Sequence, residues 1–185
     1  MTDLYRIGVK VFCTKGAQLD LGELIPVFHR WIQQKPMPHM LIDVADYSHI
    51  QASPGILLIA HEANISVDET GNRRGLLYNR KQPLQGSNQE RLRLAFRSTL
   101  ENCRRLEEEP LLQGRLRFLG NEALFFINDR LLAPNTEETF QAVKPDLDDL
   151  ARTMYAGADF TLKREADPKK RFSVQLKTAV SLEIR

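Results

Sequence analysis

At 185 residues the chain is long enough to bury a sizeable core, and 42% hydrophobic with 27% charged residues is the balance of an ordinary globular protein. With 26 basic against 24 acidic residues the formal charge is only +2, which excludes a strong global field for nucleic acid or an anionic membrane while leaving local basic patches open. No run approaches the roughly 18 consecutive apolar residues that cross a bilayer, and MTDLYRIGVKVF has the pattern of neither a secretory signal nor an Arg-rich transit peptide, so a soluble cytoplasmic protein is expected.

In chain order, residues 5–13 alternate Tyr5, Ile7, Val9 and Val11 with Arg6, Gly8 and Lys10, the period of a half-buried strand whose other face should be wetter. LDLGELIPVFHRWIQQK places Leu24, Val27, Phe28, Trp31 and Ile32 at helical spacing. Asp20 and Glu23 form a capping-box pattern, and Pro26 moves the expected start of the regular helix toward Leu24. Strands follow over 40–46, 56–67 and 74–80, the last two joined as a hairpin across 68–72.

The segment 88–109 predicts the longest helix, with one buried stripe through Leu92, Phe96, Thr99, Cys103 and Leu106 and a stop at Pro110. RLRFLGNEALFFIN reads as two strands around Gly120 and Asn121. Asn135 with Glu138 resembles a second capping box, opening a short helix to about Val143. Pro145 suits the first turn of another helix to Tyr155, stopped by Gly157. A last hairpin pairs 160–164 with 172–178. The expected order is β-α-βββ-α-ββ-αα-ββ, an α+β fold with an antiparallel or mixed sheet of about seven or eight strands and three to four helices on one face. One domain over 1–185 is expected, with 1–85 and 86–185 as fused subdomains the alternative.

Ionisable groups concentrate between Met40 and Lys81, where Asp43, Asp46, His49, His61, Glu62 and Asp68 punctuate apolar runs. On one continuous strand, His61 shares a face with Leu57, Ile59, Ala63, Ile65 and Val67 while Glu62 points away; Asp43 and Asp46 separate in the same manner. The adjacent-ligand reading of His-Glu therefore falls, and a buried Asp43 paired with His61 is the sharpest expectation. Such a pair orients an imidazole and raises its basicity, and it also occurs as a purely structural hydrogen bond. Asp46, Tyr47 and His49 then enter a loop at the strand end. Asp43, His61 and His49 are the catalytic candidates.

Tyr78 and Arg130 are the ligand-binding candidates, Arg130 as an anion anchor in NDRLLAPN, where the blander alternative is a loop folding under the sheet with Asp129 capping the turn. Cys13 and Cys103 lie far apart and outside zinc or C-x-x-C spacing, so each reads as a small buried hydrophobe, and no disulfide, metal or cofactor is expected. Phosphate-binding and G-x-S-x-G motifs are absent from the sequence; SPG at 53–55 and Gly71-Asn72 read as turns. Basic residues at Arg73, Arg74, Arg80, Lys81 and Lys169 to Arg171, with Tyr78 as stacking platform, would suit nucleic acid, but acidic residues interleave with the basic ones throughout.

The leading functional expectation is a non-catalytic module that self-associates or serves as a subunit of a larger complex. The alternative is an enzyme or small-ligand binder with a pocket around Asp43, His61 and Arg130. A nucleic-acid adaptor comes third.

Overall fold

The computed structural model describes residues 4–16, 19–50 and 54–182. Its elements are β1 (Ile7–Cys13), α1 (Leu24–Gln34), β2 (Leu41–Asp46), β3 (Ile56–Ala60), β4 (Ala63–Asp68), β5 (Gly75–Arg80), α2 (Asn88–Glu107), β6 (Phe118–Ile127), α3 (Glu137–Met154), β7 (Phe160–Arg164) and β8 (Ser173–Thr178). The eight strands form one sheet in the order β2-β3-β4-β5-β1-β6-β8-β7, every neighbouring pair antiparallel. The α+β expectation thus holds. Strands from both halves of the chain share the sheet, with β1 between β5 and β6. Ser53 of the SPG turn lies outside the described residues.

Strand alternation divides the sheet into two faces. Val9 lies opposite Tyr78 and Phe125, Tyr78 opposite Ile65, and Ile65 opposite Leu58, all fully or nearly fully buried. This row packs in one cluster with Val27, Phe28 and Trp31 of α1, Leu92, Phe96 and Leu106 of α2 and Phe140, Val143 and Leu147 of α3. All three helices therefore contribute to one face, and each large side chain fully buried there stabilises the fold by about 1.5–3 kcal/mol. The predicted stripe of α2 is buried throughout.

The Asp20–Glu23 capping box is present, closing a 3-10 turn over Leu21–Glu23 that leads directly into α1 at Leu24. Pro26 then sits in the first helical turn, where no intrahelical partner is lost. A further capping box, Ser87 with Glu90, opens α2. The 68–72 hairpin forms, with Gly71 and Asn72 both at positive φ.

Four expectations are corrected. The run 56–67 is two strands: Ile59 lies opposite Asn64, and the chain reverses across His61 and Glu62. Leu57 and Ile59 are apolar on the open face as well, so the alternation conceals the reversal. Residues 118–127 form one strand, and Gly120 serves a close approach: a Cβ there would lie 1.9 Å from the Leu182 carbonyl oxygen, while the Leu182 N–H donates to the Gly120 carbonyl at 3.1 Å.

Helix α3 is continuous through Pro145. Pro145 and Gln141, whose carbonyl loses its helical donor, both face solvent. The buried Phe140, Val143, Leu147 and Leu150 offset the roughly 3 kcal/mol that an interior proline costs. Its cap is Thr136, accepting from Thr139 N–H, whereas Asn135 donates to the Glu165 and Asp167 carbonyls and ties α3 to the β7–β8 loop. Finally, the second face of β1 is dry: Lys10 is only 3% exposed and Phe12 is buried.

Candidate functional site

The sheet order separates the sequence candidates. Asp43 is exposed on the edge strand β2, opposite Ile59, and its carboxylate accepts from the Val44 N–H at 2.8 Å. His61 is exposed at the β3–β4 reversal, and no hydrogen bond joins the two, so the expected buried pair is replaced by two solvated groups. His49 is exposed beyond β2, in a turn where Asp46 accepts from Ser48.

Arg130 follows β6, four strand spacings from β3, or about 19 Å. The sheet order therefore does not bring Asp43 and His61 together with Arg130. Asp129 does cap its turn, accepting from the Leu131 and Leu132 N–H groups at 3.1 Å, but Leu131 and Leu132 project into solvent instead of folding under the sheet.

Tyr78 faces the helices and is fully buried, so it offers no stacking surface. Its ring centroid lies 5.9 Å from that of His39, whose Nδ1 is 3.6 Å from Glu62 Oε2. Burial holds the His39 imidazole below its ordinary pKa, with Glu62 opposing the shift and Arg80 and Arg105 adding to it. The sequence carries no signal for His39, which follows Pro36, Met37 and Pro38 and precedes Met40, in no periodic pattern.

The open face of the sheet carries the denser constellation. Lys10 occupies its middle strand, flanked by Leu77 and Leu124. Its ammonium forms an ion pair with Asp68 and donates to the Thr70 and Arg73 carbonyls at 3.3 and 2.7 Å. Asp68 also accepts from the Thr70 hydroxyl at 2.8 Å. Burial lowers the Lys10 pKa and Asp68 resists that shift. Next to it, the Arg73 guanidinium lies 3.6 Å from the Phe12 ring centroid and makes a two-pronged contact with Glu122 at 2.5 and 3.0 Å. The Arg73 contacts, against a smaller desolvation effect, hold the Glu122 carboxyl below the usual carboxylate range, and Gln175 adds a further donor.

Arg171, from the loop before β8, lies 3.5 Å from the centroid of Phe126, whose ring covers Gly8. Lys10, Asp68, Arg73 and Arg171 line one cavity of about 190 Å³, with Leu77, Leu124 and Gly71 completing its wall. In sequence, the signal for this site is the three basic residues Lys10, Arg73 and Arg171 beside aromatics, far apart along the chain and joined only by strand pairing. Among the described residues no group of three or more His, Cys, Asp or Glu side chains is placed to hold a metal ion, and no helix is long and apolar enough to cross a membrane.

The two free edges of the sheet differ in charge. β2 presents Asp43 and Asp46, with Met40 and Ile42 exposed beside them, Ile42 by 55%. β7 presents Lys163, while Arg164 beside it is half-buried and held by Glu137 and Asn135. Compared with known proteins, the chain matches no family model and no curated sequence.

Proposed function

We propose that this chain is a non-catalytic assembly module of the cytoplasm that associates with further copies of itself edge to edge, β2 of one copy beside β7 of the next. The observation that carries the reading is the pairing of an acidic, apolar free edge with a basic free edge on one sheet. An uncovered edge strand is a row of unpaired backbone donors and acceptors ready to accept another strand. Because eight strands alternate in direction, β2 and β7 run oppositely, so a head-to-tail join continues the antiparallel pattern and keeps the helices on one side.

Charge selects between the possible partners. Two β2 strands facing each other would bring four carboxylates onto one short ladder, whereas β2 beside β7 sets Asp43 and Asp46 against the exposed Lys163, with Arg164 behind it already paired to Glu137. Such a heterologous contact builds rings or open chains instead of a closed dimer. The free thiols of Cys13 and Cys103 suit a reducing compartment.

The test is sedimentation and light scattering over a concentration series. Mass should grow with concentration, fall with added salt, and collapse to the monomer in Ile42→Lys and in Lys163→Glu. The double reversal Asp43→Lys with Lys163→Asp should restore assembly. A chain that remains monomeric at low salt and high concentration overturns the reading.

A further inference from the structure

We infer that the cavity on the open sheet face binds a small molecule bearing a carboxylate or phosphate, whose oxyanion is received by the Arg171 guanidinium. Nearly every charged group around this cavity already has its partners. The ammonium of Lys10 is committed to Asp68 and two carbonyl oxygens, which uses its three protons. One Asp68 oxygen takes Lys10 and the other takes the Thr70 hydroxyl. Arg73 and Gln175 occupy Glu122.

Arg171 is the remainder. It is half-buried, it rests on the Phe126 ring, and its five N–H donors have no acceptor among the described residues. Three cations, Lys10, Arg73 and Arg171, thus meet only two carboxylates at this site, and both carboxylates are engaged.

A guanidinium held on an aromatic ring is already ordered, so less side-chain entropy is lost when it forms a two-pronged contact with an oxyanion. The cavity is smaller than the roughly 300–1,000 Å³ of drug-sized ligand sites, which restricts the occupant to a small metabolite or to the anionic end of a larger one. Leu77 and Leu124 supply apolar contact for the body behind the charge. This site is on the face of the sheet and uses none of the edge residues Asp43, Asp46 or Lys163, so it stands apart from the assembly reading.

The experiment titrates the full chain with inorganic phosphate and, separately, with butyrate, following backbone amide shifts by NMR with chloride at matched ionic strength as reference. One of the two ions should shift the amides of 70–73 and 171 saturably, which also distinguishes phosphate from carboxylate. Arg171→Gln should weaken that binding about tenfold or more, and Arg171→Lys, which keeps the charge without the fork, by less. Arg97→Gln, on the exposed face of α2, should leave it unchanged. Absence of saturable shifts with both ions overturns the inference, as does equal binding by wild type and Arg171→Gln. Should Arg171→Gln fail to fold, Arg171→Lys decides: undiminished affinity there is equally fatal.

Discussion

The ring of Phe126 occupies the space a side chain at position 8 would need: a Cβ on Gly8 would lie 1.9 Å from the ring's Cζ. Gly8 and Phe126 are direct partners across β1 and β6, and the Arg171 guanidinium lies 3.5 Å from the centroid of the same ring. Gly8→Ala should displace the ring and lower stability by about 1–3 kcal/mol, the usual range for overpacking. Urea denaturation measures the loss; unchanged stability would mean that the ring moves freely.

Glu109 joins α1 to the end of α2. It is buried, pairs with Arg30, accepts from the indole N–H of Trp31 at 3.1 Å and caps the following turn at Leu111. Glu109→Ala should cost about 2 kcal/mol, less than a fully buried pair because Arg30 is partly exposed. Trp31 is the only tryptophan, so its fluorescence in a denaturant titration reports the change directly.

His39 makes stability depend on pH in a defined direction. Its folded pKa lies below the ordinary 6.5, so the unfolded chain binds the proton more readily, and the His39 contribution declines as pH falls below about 6.5. Denaturation at pH 7.5 and pH 5.5 should show this decline, and His39→Gln should make it shallower. An identical slope in the variant would assign the effect elsewhere.

Burial pushes the Cys13 thiol up to about 12 and that of Cys103 well above its ordinary range, so both remain protonated at pH 8. A thiol-specific reagent should label neither at an appreciable rate in the folded chain, and both once denaturant is added. Rapid native labelling of Cys103 would contradict its burial.

Much of the fold could be read from hydrophobic period: the α2 stripe, the α1 start at Leu24, the β4–β5 hairpin and the β7–β8 hairpin all follow from local patterning. The errors arose where two physical causes give one signature. Gly120 looks like a turn residue, yet it provides room for the backbone of Leu182. Pro145 looks like a break, yet it occupies a wet helix face where the freed carbonyl meets solvent. The site was less legible because Lys10, Arg73 and Arg171 become neighbours only through the strand order, and their spacing along the chain carries no trace of it.

The placement of β1 sets a timetable for synthesis. Its two neighbours, β5 and β6, end at Arg80 and Ile127, so in a growing chain β1 has no partner until Arg80 and keeps one edge open until more than two thirds of the chain has been made. Pairings this distant in sequence close slowly and leave strand edges open to wrong partners meanwhile. A circular permutant opened between β5 and α2, with the old termini joined by a linker, would make β6 before β1, so that β1 has a partner as soon as it is made, and faster refolding with less aggregation should follow.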